Sequence, residues 1–96
     1  MRYEADCELW AYPGKATWHF ASLPADLTEP LKAVRGPSSG WGSIRVEATI
    51  GGSTWKTSIF PDSKSGTFLL PVKAEIRRQE GISAGDRVPV IVEIAL

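Results

Sequence analysis

Two Leu-Pro steps, Leu23-Pro24 and Leu70-Pro71, constrain the fold of this chain more than any other feature. Proline has no N–H to donate to a sheet ladder, so each step ends a strand. After each step, apolar residues recur at helical spacing until a glycine can end the helix, Gly36 in the first case and Gly81 in the second. The sequence therefore predicts two similar units in which a strand passes into a short helix.

Apolar and polar residues alternate with period two outside these helices, which predicts strands that each have one buried face. In the second strand, Trp18 and Phe20 share a face. Phe20 and Phe68, the aromatic residues that precede the two Leu-Pro steps, are expected in the core. The predicted strands cover residues 3–11, 16–23, 44–50, 53–60, 67–70 and 88–96.

Turn and cap residues separate these elements. Thr28 is the predicted N-cap of the first helix, which Gly36-Pro37 ends, and the second helix covers residues 72–80. Gly51-Gly52 is a predicted two-residue hairpin turn in which both positions can take positive φ. No linker is long enough to split the chain, so we expect a single domain over residues 1–96.

The composition argues against several classes of protein. Lys and Arg number 11 against 11 Asp and Glu, whereas a protein that binds nucleic acid non-specifically needs a surplus of cations. Cys7 is the one cysteine, so no intramolecular disulfide forms, which is typical of a reducing cytoplasm. No apolar stretch reaches the roughly 18 residues of a membrane span. Acidic residues stand near the N-terminus, where a signal peptide is basic and then apolar. We expect a cytoplasmic protein.

Groups suited to catalysis or metal binding are scarce. A Cys-His nucleophile needs Cys7 within hydrogen-bond reach of His19, but Cys7 lies on the apolar face of its predicted strand, and structural roles are expected for both. One cysteine and one histidine cannot complete a closed zinc site. Acid–base chemistry through Glu47 or Glu75 has no support beyond the presence of these residues. We therefore predict no enzyme, no catalytic residue, no metal and no cofactor.

Basic and aromatic residues offer a binding site instead. Lys73 and Arg77 are four residues apart and share one face of the second predicted helix. Arg45 and Lys56 lie on adjacent antiparallel strands, on the faces opposite the apolar rows. If these faces converge, they form a cationic site for a carboxylate, a phosphate or an acidic peptide. The candidate ligand-binding residues are Trp41, Arg45, Trp55, Lys56, Lys73 and Arg77.

Two alternatives stand beside that interpretation. The cations can be ordinary solvated charges that pair with Glu47, Glu75 or Glu80. Trp41, which lies between two glycines, can be a lid on the core or a contact for a ligand, because an exposed indole on a loop is costly.

Five short motifs follow one another along most of the chain. They are Phe20-x-x-Leu23-Pro24, Trp41-Gly42-Ser43-Ile44-Arg45-Val46, Gly51-Gly52-x-x-Trp55-Lys56-Thr57-Ser58, Leu69-Leu70-Pro71-Val72-Lys73-x-x-Ile76-Arg77 and Gly85-Asp86-x-Val88-x-Val90. Their order and spacing resemble a bacterial family of small domains of unknown function, family 1905, whose members occur alone or fused to YdeI/OmpD-associated domains. The resemblance implies a mainly β fold: a six-stranded double-split β-barrel capped by two short helices, related to the AbrB and MazE transcription-factor domains. It implies no established activity and transfers no catalytic residue.

The predicted function is that of a non-catalytic binding or interaction domain, whose Lys, Arg and Trp surface recognises a small anion or an acidic peptide. The alternative is a DNA-binding regulator related to the AbrB and MazE domains, which rests on fold analogy alone. Balanced charge and the acidic residues Glu4, Asp6 and Glu8 argue against nucleic acid as the partner. We expect a small anion or a protein as the partner, no membrane, and a monomer, with a dimer through an exposed strand as the alternative.

Overall fold

A computed structural model describes residues 1–35 and 42–94 of the chain. Trp41 and the predicted helix end at Gly36-Pro37 lie outside these residues. The elements in chain order are β1 Arg2–Tyr12, β2 Lys15–Ser22, a 3-10 turn at Ala25–Leu27, α1 Thr28–Arg35, β3 Ile44–Ile50, β4 Ser53–Pro61, β5 Phe68–Pro71, α2 Ala74–Glu80 and β6 Arg87–Ile94.

The six strands form one closed antiparallel barrel. Their order around it is β1-β2-β5-β4-β3-β6, so every strand has two neighbours. The longest ladders join β1 to β6 and β3 to β4, while β5 makes short contacts with β2 and β4. The prediction of a mainly β fold, with a six-stranded barrel and two short helices, is confirmed.

The two Leu-Pro segments lie side by side in this barrel. β2 pairs with β5 through residues 20–22. Past the ends of this ladder, the N–H of Leu23 donates to the carbonyl of Phe68, and the N–H of Val72 donates to the carbonyl of His19, both at 2.9 Å. The similarity of the two segments in sequence therefore corresponds to an antiparallel pair, in which each unit holds the other.

Two predicted boundaries are wrong by small amounts. Pro71 is itself the last residue of β5, and Val72 still bonds to β2, so α2 begins at Ala74 rather than at residue 72. Thr28 does not cap α1, because a 3-10 turn leads directly into the helix and the Thr28 hydroxyl donates to the carbonyl of Gly66 at 3.3 Å. In both cases a hydrogen bond to a distant part of the chain overrides the local sequence preference on which the prediction was based.

The core fills the barrel, and one residue from each helix closes it. Leu31 of α1 and Ile76 of α2 are buried against the inward-facing strand residues. No helix within residues 1–35 and 42–94 is long and apolar enough to cross a membrane. The strand and junction residues of the core are Cys7, Leu9, Ala21, Leu23, Ile44, Val46, Ala48, Ile50, Ile59, Phe68, Leu70, Val72, Val88, Val90, Val92 and Ile94.

The aromatic residues of β2 lie on the outside of the barrel. The prediction that Phe20 packs in the core is wrong, because Ala21 and Leu23 occupy the inward positions of this segment and alternation turns Phe20 outward. Phe20 is nevertheless buried, since other rings cover it from outside. Their centroids lie 5.4, 6.2 and 6.3 Å from that of Phe20, and they belong to Trp10, Tyr12 and Trp18.

The last residue of α2 fastens the helix to the β3–β4 hairpin. Glu80 accepts hydrogen bonds from the Ser53 hydroxyl at 2.6 Å and from the Gly52 N–H at 3.4 Å. Gly51 has a φ of 58°, and a Cβ at this position would collide with the Glu80 carboxylate. Gly52 has no positive φ and open space around it. The predicted turn is therefore present, but only its first glycine needs the left-handed region.

We expect Gly51→Ala to lower the free energy of unfolding by about 1–3 kcal/mol, because alanine must adopt a left-handed backbone there and displace Glu80. Gly52→Ala is the matched control in the same turn and should change stability by less than about 0.5 kcal/mol. Urea unfolding followed by tryptophan fluorescence measures both values. Equal losses in the two variants would show that the contact with Glu80 does not constrain the hairpin.

Candidate functional site

The barrel is split between β2 and β4. β5 lies between these strands, but it has four residues and pairs only with residues 20–22 of β2 and 60–61 of β4. After Pro71 the chain turns away into α2. Most of β4 therefore has a ladder partner on one side only, namely β3, while β2 pairs with β1 at Lys15 and at residues 19–21. A cleft opens where β5 would otherwise continue.

This cleft has a volume of about 370 Å³ and is open to the outside. One wall is formed by residues 17–20 of β2 and the other by residues 55–57 of β4, while residues 71–73 form the floor. Its volume lies within the range of about 300–1,000 Å³ that is typical of small-ligand sites. The lining side chains and backbone belong to Thr17, Trp18, His19, Phe20, Trp55, Lys56, Thr57, Pro71, Val72 and Lys73.

The structure brings four of the six predicted site residues together. Trp55 and Lys56 come from β4, and Lys73 stands at the start of α2, so all three line the cleft. Trp55 is half-buried against the core, while the Lys56 and Lys73 side chains are exposed. Arg77, one helical turn beyond Lys73, lies behind the cleft floor, where its Nε donates to the carbonyl of Val72 at 3.3 Å.

The other two predicted residues do not line the cleft. Arg45 is on the outer face of β3, in a shallow depression of about 430 Å³ that it shares with Glu47, Lys56 and Glu93. The negative charges of Glu47 and Glu93 partly neutralise the positive charge of Arg45 there. Trp41 lies outside the described residues. Lys56 is the link between the cleft and this depression, because it borders both.

His19 is the functional candidate that the sequence did not reveal. The sequence predicts a structural role, whereas the structure places the ring in the cleft wall with Nε2 at 3.5 Å from a guanidinium nitrogen of Arg77. An arginine can only donate, so Nε2 has to accept, and a neutral ring then carries its proton on Nδ1. Nδ1 is buried and has no hydrogen-bond partner. Buried polar groups without partners are uncommon, and at a cleft they indicate a place for a ligand or water.

The cations of the cleft have no acidic partner within salt-bridge distance. Lys56 lies directly across from Glu47 in the β3–β4 pairing, yet no salt bridge joins them. Glu80, another partner considered from sequence, binds the hairpin instead. Within residues 1–35 and 42–94, the salt bridges are Arg2–Glu4 and Lys32–Glu29. The cleft cations Lys56, Lys73 and Arg77 are thus not held in salt bridges among the described residues.

An apolar surface adjoins the cleft, and we call it the aromatic face. It covers the outside of β2, β5 and the end of β4 and shares Trp18, Phe20 and Pro71 with the cleft. The Trp18 side chain is 60% exposed and that of Phe60 is 41% exposed. Contiguous exposed aromatic surface of this kind marks an interaction site more often than scattered apolar residues do. The residues of the aromatic face are Trp18, Phe20, Phe60, Pro61, Leu69 and Pro71.

Comparison with known proteins gives a family but no activity. The family model described as "Domain of unknown function (DUF1905)" matches residues 6–92. No curated protein matches the chain. The chemistry of the site therefore has to be judged from the groups that this chain itself presents.

Cys7 is the described side chain that comes nearest to a nucleophile. It lies in the core with 1% of its surface exposed, and burial, reinforced by the charge of Asp6, raises its pKa to about 11. A thiol in this state is a poor nucleophile, because the thiolate is the reactive form. Among residues 1–35 and 42–94, no group of three or more His, Cys, Asp or Glu side chains is placed to hold a metal ion.

We expect the Cys7 thiol of the folded protein to react with a thiol reagent such as DTNB at least about 100-fold more slowly at pH 8 than in 6 M guanidinium chloride. Both its burial and its raised pKa reduce the accessible thiolate. Absorbance at 412 nm follows the reaction. Rapid modification of the native protein would place Cys7 in a reactive, accessible environment and reopen nucleophilic catalysis.

Proposed function

The chain belongs to the DUF1905 family of domains of unknown function, and we propose that this domain is a non-catalytic binding module that recognises an anionic group in the cleft between β2 and β4. One observation carries the proposal. Lys56 lines one wall of the cleft and Lys73 its floor, Arg77 lies behind that floor, and none of these cations forms a salt bridge within residues 1–35 and 42–94.

The neutral groups of the cleft support the same proposal. Trp55 and Trp18 supply flat apolar walls, and the His19 ring lines the cleft beside Arg77. Donors and cations that surround an apolar cleft match a ligand with a carboxylate or phosphate attached to an apolar body. A cation would meet the charges of both lysines and is disfavoured.

The expected affinity for a small anion is modest. Charge-assisted hydrogen bonds contribute about 1.5–3 kcal/mol each, and less where water screens them, as it does at exposed lysines. Two or three such bonds therefore give about 3–9 kcal/mol before the cost of immobilising the ligand. A dissociation constant of 1 mM corresponds to about 4 kcal/mol. We expect inorganic phosphate and acetate to bind in the millimolar range.

DNA binding is the weaker candidate. A protein that binds duplex DNA commonly contacts about 6–10 phosphates, whereas Lys56, Lys73 and Arg77 are the cations that the cleft brings together. The outer face of β1 carries exposed acidic residues, which would repel a duplex that extends around the barrel. DNA binding is supported only by the analogy with the fold of the AbrB and MazE domains.

We also propose a cytoplasmic location. Cys7 is a free thiol, and the domain relies on its core rather than on a disulfide for stability. Domains of this kind suit a reducing compartment.

Titration of the ¹⁵N-labelled protein with inorganic phosphate and with acetate, at constant ionic strength, tests anion binding directly. We expect saturable chemical-shift changes at Lys56, Lys73 and His19. Lys56→Ala and Lys73→Ala should each raise the dissociation constant about fivefold, which corresponds to roughly 1 kcal/mol.

Arg87→Ala is the matched control, because Arg87 is an exposed cation on β6, on the opposite side of the barrel from the cleft. It should leave the dissociation constants unchanged. Shifts that do not saturate, or that fall equally on Arg87 and on the cleft lysines, would indicate general ion screening and contradict the proposal.

A further inference from the structure

The split leaves one edge of β4 open along the cleft. Along this strand the backbone groups of even-numbered residues point towards β5, since Asp62 N–H donates to the carbonyl of Thr67 at 2.8 Å and Phe60 pairs with Leu69. Backbone direction alternates along a strand, so Lys56 and Ser58 present their N–H and C=O groups on the same side. β5 does not reach Lys56, because in the register that pairs Phe60 with Leu69 the last residue of β5, Pro71, lies opposite Ser58.

The opposite wall of the cleft does not offer a second open edge of this kind. The carbonyl of His19 in β2 already accepts from the N–H of Val72. Between His19 and Lys15 the pairing of β2 with β1 shifts register, so the alternation of backbone direction does not extend to Thr17. The unpaired backbone of β4 at Lys56 is therefore the template for another extended chain.

The volume of the cleft indicates how much chain fits. Strands lie about 4.8 Å apart, rise about 3.3 Å per residue and occupy about 10 Å between faces, so one residue of a paired strand takes roughly 150 Å³. The cleft of about 370 Å³ therefore holds two or three residues of an extended segment. A longer segment has to continue outside the cleft, and the surface that it meets there is the aromatic face.

The charges determine what such a segment carries. Lys56 and Lys73 stand at the cleft without salt-bridge partners among the described residues, so an acidic side chain complements them. Beyond them, Trp18 and Phe60 expose rings that apolar side chains would cover. A free small anion would neutralise the lysines, but it would leave both the strand edge and the aromatic face unused.

We infer that the occupant of the cleft is an extended segment of another protein, which pairs with the open edge of β4 at Lys56. It places an acidic side chain between Lys56 and Lys73 and continues over the aromatic face with apolar side chains. This inference rests on the proposed function, because the acidic side chain is the anion that the cleft recognises. The binding mode is strand addition, in which the backbone gives affinity and alternate side chains give specificity.

Selection from a phage-displayed library of random linear heptapeptides tests the inference. We expect enriched peptides to combine one or two Asp or Glu residues with apolar residues at alternate positions, as in a strand. A synthetic version of the strongest peptide should lose at least about fivefold in affinity with Lys56→Ala or Lys73→Ala. It should also lose affinity with Trp18→Ser, while Arg87→Ala serves as the unaffected control.

Single N-methylation along the same peptide separates strand addition from simple charge attraction. Methylation removes one backbone donor without changing the charge, so affinity should fall about tenfold or more at alternate positions and little at the positions between them. If affinity falls without this alternation along the peptide, or if the selected peptides share apolar residues at helical spacing, strand addition is wrong.

Failure of the inference is distinguishable from failure of the proposed function. If phosphate or acetate binds in the cleft but the library yields no enriched peptide, the inference is wrong and anion binding stands. If neither binds, both are wrong. If light scattering shows a dimer that Trp18→Ser separates, a second copy of this chain covers the aromatic face, and that result also overturns the inference.

Discussion

The shortness of β5 is the constraint on which the rest of this structure depends. Its four residues end at Pro71, which has no N–H to extend the ladder, so the strand joins β2 and β4 at one end only. The bond from Val72 N–H to His19, together with the contact from Arg77 to the Val72 carbonyl, then fixes the turn into α2. The barrel is closed where β5 lies and split where β5 stops, and the split is the cleft.

Period-two alternation and the Leu-Pro steps predicted the strands, the helices and a mainly β chain, whereas the six-stranded barrel was implied by the family resemblance. Alternation gave the wrong inward face for β2, because Trp18 and Phe20 are more apolar than Thr17 and His19, with which they alternate. The inward positions go to Ala21 and Leu23, which leaves Phe20 under a layer of outer rings. Strand pairing decides this choice, and pairing between β2 and β5 joins residues about 50 apart in sequence.

The dependence on pairing between strands that are distant in sequence also explains which site residues could be predicted. Helical spacing predicted one shared helix face for Lys73 and Arg77, but Lys73 is the extended N-cap before α2, while cross-strand logic placed Lys56 on an outer face. Arg45 was also predicted on an outer face, but it lies one strand further from the split, beside Glu47 and Glu93. His19 was missed because a single histidine in a strand carries no signal of its own. Only the early end of β5 exposes it, and Pro71 was the one clue to that end in the sequence.

The central claim is that β4 has an open edge beside the cleft, and amide hydrogen exchange of the free protein tests it residue by residue. The N–H groups of Trp55 and Thr57 point towards β3 and should exchange slowly. The N–H of Lys56 points into the split and should exchange about 100-fold faster or more than those of its two neighbours. Equal protection of all three amides would mean that this edge of β4 is already paired, and that result would contradict an open strand edge at the cleft.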